Sequence, residues 1–393
     1  RPILDEVVPF LDGAVLAAGQ PESYFEPRIS AERATLFEHC ARTIDRCLGV
    51  GTHGLPLMGT GDWNDGMNRV GSQGKGESVW LAWFLHGVLT AWVPIATARG
   101  ESKRATAWLA HAGTLKEATE RAAWDGDWYR RAYFDDGTPL GTAGADACAI
   151  DAIAQSWSVI SGAADPDRAR RAMAAVDQHL LRRGDDLSLL LTPPFDRTAL
   201  EPGYIKGYVP GVRENGGQYS HASVWTAIAF AILGDGDRVA ELIGWLNPVR
   251  RTSTPEGVAR YRVEPYVAVG DVYSVAPHSG RGGWTWYTGT SGWLQRAGIE
   301  WLLGIRARGP MLLIDPCIPK GWPGFSATYR HHATSYEIAV ENPGGACRGV
   351  AVLELDGVAV AVDTGVALAD DGKIHQVRVV LGGSKVPATA GIS

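Results

Sequence analysis

Ten residues, Gly59-Thr60-Gly61-Asp62-Trp63-Asn64-Asp65-Gly66-Met67-Asn68, hold two carboxylates, an indole and two amides among three glycines. Glycine lets a backbone take positive φ and come close to a ligand. Tryptophan offers an apolar face on which a sugar ring can stack, and an N–H donor at its edge. The amides of Asn64 and Asn68 can both donate to and accept from hydroxyls. These residue types in so short a loop point to carbohydrate recognition with an acid close by. An Asx-rich turn ahead of a helix would explain the Gly, Asn and Asp, but it leaves Trp63 without a reason.

Two later segments carry compatible chemistry. Arg213-Glu214-Asn215-Gly216-Gly217-Gln218-Tyr219-Ser220-His221 puts charge, amides and an imidazole on a glycine hinge at a helix start. That is more than a helix cap requires. Trp284 to Trp293 joins Thr285, Thr288, Thr290 and Ser291 to the start of another helix. The free N–H groups and dipole of such a start suit an anion, although a plain Thr/Ser cap reads the same way. Ile314 to Lys320 reads as a rigid structural turn. No metal site is expected: His331 and His332 are neighbours on a strand and so face opposite ways. Gly71 to Gly76 lacks the residue order of a phosphate-binding P-loop.

These segments need a scaffold. Apolar periodicity predicts helices over residues 30–48, 77–98, 102–123, 145–162, 165–182, 220–233, 235–246 and 291–304. Long connections at 124–144, 184–219 and 247–290 are where function tends to sit. Paired helices of this length, with function in the loops, suggest an α/α toroid. Beyond about Gly309 the pattern alternates in the strand manner at Tyr336–Val340, Val350–Leu355 and His375–Leu381, with Asp-Gly turns between. The expected organisation is a helical domain over 1–308 and a small antiparallel β-domain over 309–393.

Composition narrows the function. At 45% apolar and 20% charged, the 393 residues are those of a globular protein. A formal net charge of −6 gives nucleic-acid binding no electrostatic support. Fifteen Trp and 12 Tyr against 8 Phe suit carbohydrate sites. Five cysteines, with no CxxC pair, argue against a disulfide framework or zinc site and for a reducing compartment. Val79 to Ala98 is apolar over the length of a membrane span, but it holds His86 and Pro94 and follows the acidic loop directly, so a buried helix is expected. The chain opens with neither Met nor a signal peptide, as a piece of a larger polypeptide would.

Taken together, Gly61-Asp62-Trp63-Asn64-Asp65-Gly66, Arg213 to Gly217 with His221, Trp286 to Trp293 and Ile314 to Lys320 resemble glycoside hydrolase family 94, the inverting β-glucoside phosphorylases. The longer run from Thr52 to Gly71 is most similar to the C-terminal phosphorylase region of cyclic β-1,2-glucan synthases, followed by 1,2-β-oligoglucan phosphorylases. The resemblance implies an (α/α)6 barrel, lacking its first part here, followed by a β-sandwich. It implies Asp65 as general acid. Trp63, Asp62, Arg213, Glu214 and Gln218 would hold sugar, and His221, Thr288 and the N–H of Gly289 would hold inorganic phosphate. Phosphate is then a co-substrate, with no cofactor and no metal. Arg213 stands where several relatives carry Lys, which is not a neutral exchange. The reaction would be phosphorolysis of a β-1,2-glucan to α-glucose 1-phosphate. Phosphorylases for other β-linked sugars, such as cellobiose, or a non-catalytic glycan-binding fragment, are the alternatives. An acid of this kind must be protonated beforehand, which calls for burial or for nearby negative charge from phosphate or Asp62. Partners implied are the glucan, phosphate and an N-terminal portion of a parent enzyme, with room for a homodimer. A cytoplasmic location is expected, for a parent that could be anchored to the inner membrane.

Overall fold

A helix that is apolar all round must be covered on every side. Ser220–Leu233 is such a helix, and every residue from 222 to 232 is buried. The architecture of this protein, known from a computed structural model describing residues 2–15 and 24–382, is arranged around that requirement.

The chain begins with strands β1 (Val7–Asp12) and β2 (Arg28–Thr35), paired antiparallel, and helix α1 (Leu36–Arg46). The helix expected from Ser30 therefore starts six residues late. Thr35 is its N-cap, accepting from the Glu38 N–H at 3.2 Å. Thr35-x-x-Glu38 is a capping-box pattern, and it fixes the start more firmly than the upstream Ser30-Ala31-Glu32.

Next come β3 (Glu77–Ser78), α2 (Val79–Ala98), α3 (Ser102–Ala122), β4 (Ala132–Tyr133), β5 (Pro139–Leu140) and β6 (Ile150–Asp151). Helices α4 (Ala152–Ile160) and α5 (Pro166–His179) follow, then β7 (Leu181–Arg182), β8 (Leu187–Ser188), β9 (Leu191–Thr192) and β10 (Gln218–Tyr219). The helical part ends with α6 (Ser220–Leu233), α7 (Gly236–Leu246), the short α8 (Pro248–Arg251) and α9 (Pro255–Tyr261), β11 (Asp271–Val272), and α10 (Thr288–Arg296), which runs on as a π-helical turn, Ala297–Leu302.

Helices α2, α4, α6 and α10 pack side by side as an inner row. The returning helices α3, α5 and α7 each pack on the inner helix before them. Three inner helices start straight after a two-residue strand: β3 before α2, β6 before α4 and β10 before α6. Ser78 and Asp151 cap the first two, accepting from Leu81 N at 3.1 Å and Ile153 N at 2.9 Å. Among the described residues only α2 is long and apolar enough to cross a membrane, by length and composition alone. It packs against α3 and α4 and contributes Trp80, Trp83 and Leu89 to the core.

After the π-helical turn the chain is all strand. β12 (Ile305–Arg308), β13 (Met311–Ile314), β14 (Gly324–His331), β15 (Thr334–Glu341), β16 (Val350–Leu355), β17 (Val358–Ala359), β18 (Val366–Ala367) and β19 (Ile374–Leu381) form two sheets, ordered β12-β13-β18 and β14-β15-β19-β16-β17. The expectation of a purely antiparallel β-domain needs one correction: β15 and β19 are parallel. The last strand inserts between β15 and β16, which run opposite ways, so it has to be parallel to one of them. Residues 383–393 of the expected β-domain lie outside the described residues. The Ile314–Lys320 turn is structural, as expected. Its Asp315 pairs with Arg306 at 3.2 Å and Arg348 at 2.5 Å. Arg348 also donates to the Ala231 and Ile232 carbonyls at the end of α6, tying sheet to helices.

Candidate active site

The acidic loop lies where the inner helices begin. Ser78 at the start of α2 donates to Asp62 Oδ2 at 2.6 Å. Trp63 packs edge-on against Tyr219, the N-cap of α6, with ring centroids 5.2 Å apart. The Tyr219 and Tyr287 hydroxyls are 3.0 Å apart, and Tyr287 is the N-cap of α10. Each helix start carries roughly half a positive elementary charge, so the loop sits in a region disposed toward anions.

Gly61, at φ +135°, turns the loop, and a Cβ there would lie 3.1 Å from the Asp65 Cα. The two carboxylates that follow have opposite fates. The Asp62 side chain is fully buried and takes both terminal nitrogens of Arg131 at 2.6 Å, together with the Ser78 hydroxyl and the Asn64 N–H. Those bonds and the Arg131 charge outweigh burial and hold Asp62 below the usual carboxylate range. Asp62 was expected to contact sugar; in this structure its oxygens are taken up by Arg131, Ser78 and the Asn64 N–H. Asp65 opens a short 3-10 turn, Asp65–Met67, and is exposed, so of the two expected means of keeping an acid protonated, burial or nearby negative charge, burial is not the one found here. Tyr204 stands beside it: burial, then the Asp65 carboxylate, push the Tyr204 phenol up.

The two amides of the loop are committed as well. Asn64 accepts from Gly66 N at 3.2 Å, and Asn68 accepts from Tyr204 N at 3.2 Å. Asn64 Nδ2 is buried without a partner.

His221 is the second residue of α6, its ring 4.3 Å from Trp225 and 6.1 Å from Trp293 of α10. The Trp63 indole N–H points to its Nδ1 at 3.4 Å. Burial pulls His221 down to about 4, so it is neutral near pH 7. With Nδ1 accepting, the proton falls on Nε2, which is buried and without a partner. His221 thus keeps an uncharged N–H donor without a partner. Thr288 and Gly289 are the first residues of α10 and are exposed, and no side chain caps that helix. The Thr290 hydroxyl just behind them is buried and unpaired.

Arg213, at φ +51°, is held by its own N–H on the buried Asp271 at 2.9 Å. Its guanidinium pairs with Glu214 at 3.3 Å and lies between two rings, 4.8 Å from Tyr208 and 5.4 Å from Trp284. Glu214 is nearly buried beneath it. Gln218 is not a surface ligand. It is buried in β10, accepting from Ser188 N at 3.0 Å, and its Nε2 is enclosed without a partner. Gln218 was expected to contact sugar, and its oxygen serves the fold here.

Four groups of this site escaped sequence reasoning: Arg131 with Asp151, Ser78, Asp271, and the rings of Tyr204 and Tyr208, which join Trp284 of the segment already singled out. The excess of Trp and Tyr hinted at the last, and Trp284 is 66% exposed, beyond what core packing explains. Among the described residues no cluster of His, Cys, Asp or Glu could hold a metal.

Paired helices whose inner starts surround an exposed acid, an indole and an uncapped helix end describe a helical carbohydrate-active enzyme. The chain belongs to the glycosyl hydrolase 94 superfamily, whose catalytic-domain model matches residues 3–304. It is 50% identical over 339 residues to the cyclic β-(1,2)-glucan synthase NdvB of Rhizobium meliloti (strain 1021), covering 86% of this chain and 12% of that protein. It is 35% identical over 334 residues to the 3-O-β-D-glucopyranosyl-β-D-glucuronide phosphorylase of Paenibacillus borealis, covering 84% of this chain and 42% of that one. The chain therefore spans less than half of either relative. A solved sialidase structure superposes on 74% of this chain and 26% of its own with a TM-score of 0.53 at 17% identity, a likeness of fold alone.

Proposed function

We propose that this chain carries out inverting phosphorolysis, and the reverse synthesis, of β-1,2-linked glucan, giving α-glucose 1-phosphate. The observation that carries the reading is the separation of the two loop carboxylates. Asp62 is neutralised by Arg131, so the loop offers one free acid, Asp65, and no second carboxylate to activate water. Inverting hydrolysis needs both an acid and a base. Phosphate is already charged and needs no base.

In this reading Asp65 gives its proton to the glycosidic oxygen. A phosphate oxygen attacks the anomeric carbon from the opposite face, and the C–O bond breaks with its electron pair going to the shortened glucan. Solvent reprotonates Asp65 before the next turnover. His221 Nε2, the Thr288 hydroxyl and the Gly289 N–H hold the phosphate at the open start of α10. A carboxyl beside such a dianion keeps its proton more readily, which supplies what burial does not. Trp63 lines the sugar subsite, and Arg213 contacts the leaving glucan. No cofactor or metal is required. The row of inner helices is part of an (α/α)6 barrel that helices of a parent polypeptide complete, with the strands after residue 308 as a separate β-domain. The likeness to the glucan synthase favours the β-1,2 linkage. The five unpaired cysteines suit a cytoplasmic site, where phosphate is available.

The test is glucose 1-phosphate formation from linear β-1,2-glucooligosaccharides with and without inorganic phosphate, beside a panel of other β-linkages. Phosphate-dependent product on the β-1,2 substrate is expected, and sugar release without phosphate would overturn the reading. Asp65→Asn should lose activity and still bind sugar, and full activity in that variant would sink its assignment.

A further inference from the structure

The buried cation beneath the acidic loop is larger in consequence than a salt bridge. Arg131 is fully buried, on the residue before β4, and faces two carboxylates from different parts of the chain. Its Nη1 and Nη2 grip Asp62 of the loop, and its Nε lies 3.3 Å from Asp151 Oδ2. Asp151 is the N-cap of inner helix α4. The backbone of Arg131 is fixed as well, its N–H donating to Leu140 and its carbonyl accepting from Val79 at the start of α2. One residue therefore joins the loop to two inner helices, by hydrogen bonds to Asp62 and Val79 and by a charge contact without a hydrogen bond to Asp151.

The linkage continues to the acid. Asp62 Oδ1 accepts from Asn64 N at 2.9 Å, and Asn64 Oδ1 accepts from Gly66 N at 3.2 Å. Asn64 and Gly66 flank Asp65 in the chain, so the backbone on each side of the exposed acid is pinned by bonds that start at Arg131. The group set against the Asp65 carboxylate is the Tyr204 phenol of the 3-10 turn Tyr204–Gly207, whose backbone N–H is itself held by Asn68 of the same loop.

We propose that Arg131 is a positioning residue: clamped between Asp62 and Asp151, it fixes the loop so that Asp65 delivers its proton to the leaving oxygen. This rests on Asp65 being the general acid. A misplacement of about 1 Å at a reacting centre can cost about 100-fold in rate, and general acid catalysis is worth about 100- to 10,000-fold. Loosening the clamp should therefore cost proton donation and leave phosphate attack intact.

A substrate that needs no acid separates the two. With β-D-glucosyl fluoride, a phosphate oxygen attacks the anomeric carbon, the C–F bond breaks, and fluoride departs with the electron pair and without a proton. Asp62→Asn keeps the shape of the side chain and removes its charge, while Arg131→Lys keeps the charge and loses the two-pronged grip. Both variants and Asp65→Asn are assayed on glucan and on the fluoride with saturating phosphate. The ratio of the two rates does not depend on how much of a variant folds. The expected result is a drop of about 10- to 100-fold on glucan, fluoride rates close to the unsubstituted chain, and an unchanged KM for phosphate. If Asp65→Asn spares the fluoride but the clamp variants lower both rates equally, or lower neither, Arg131 is structural only and the proposal fails. If Asp65→Asn loses the fluoride as well, Asp65 is not the acid and the functional reading fails with it.

Discussion

Replacing His221 with Gln separates one buried imidazole from everything else that titrates. Burial pulls His221 from its ordinary 6.5 to about 4. Between those values the unfolded chain binds a proton that the folded chain refuses. Stability from this group is thus complete above about pH 6.5 and is lost as pH falls toward about 4. Between about pH 7 and about pH 4.5 the loss comes to about 2.5 kcal/mol, at about 1.4 kcal/mol per unit. Asp151 works the other way. Burial raises it to about 6, so the folded chain takes up a proton that the unfolded chain does not, and stability rises as pH falls through that value. A bare pH–stability curve mixes the two contributions. Gln keeps an N–H donor and does not titrate, so subtracting the His221→Gln curve from the native curve cancels Asp151. Urea melts of both proteins at about pH 7 and about pH 4.5 give the difference directly, and the native chain should lose about 2.5 kcal/mol more than the variant. Equal losses in the two proteins would refute a buried, neutral His221, and with it the assignment of its Nε2 as a fixed donor.

His221→Phe removes that donor. A hydrogen bond to a charged group is worth about 1.5–3 kcal/mol, so the KM for phosphate should rise about 10- to 150-fold while the KM for glucan stays put, and a parallel rise in both would count against a phosphate contact. Gly61→Ala places a Cβ 3.1 Å from the Asp65 Cα at a φ of +135°. It should destabilise the chain by about 1 kcal/mol or more in urea melts and lower kcat on glucan more than on β-D-glucosyl fluoride. Arg213→Lys loses the flat stack between Tyr208 and Trp284; steady-state kinetics should show a several-fold higher KM for glucan with an unchanged KM for phosphate.

The inner helices were legible where the chain marks both their faces and their ends. Ser220–Leu233 was bounded correctly because an unbroken apolar run meets Gly234-Asp235, and Gly234 takes the left-handed conformation that ends it. The start of α1 was equally legible in the Thr35-x-x-Glu38 box, but the earlier Ser-Ala-Glu drew the boundary upstream. Other features were not available locally. Arg130 and Arg131 are adjacent and identical in type, yet Arg130 is half-exposed and Arg131 fully buried. Their partners separate them: Asp125 nearby in the chain for Arg130, Asp151 and the distant Asp62 for Arg131. Arg131 in turn separates Asp62 from Asp65, which sequence reasoning placed together as a pair of site acids. The parallel pairing of β15 with β19 likewise depends on where the final strand enters the sheet, which alternation along one strand cannot reveal.

The placement of charge explains why one fold element can serve two opposed requirements. A site that binds a phosphate dianion must be positive, yet an acid held in a positive field gives up its proton too early. Here the fixed positive charge is kept low and to the side. Arg131 is buried and already balanced by Asp62, Arg213 is paired with Glu214, His221 is neutral, and the remaining attraction comes from helix ends, whose influence fades within a turn. Asp65 stands exposed next to the Tyr204 phenol. In the proposed reaction such an acid would be armed by its co-substrate, which links proton donation to the presence of the nucleophile and disfavours water in its absence.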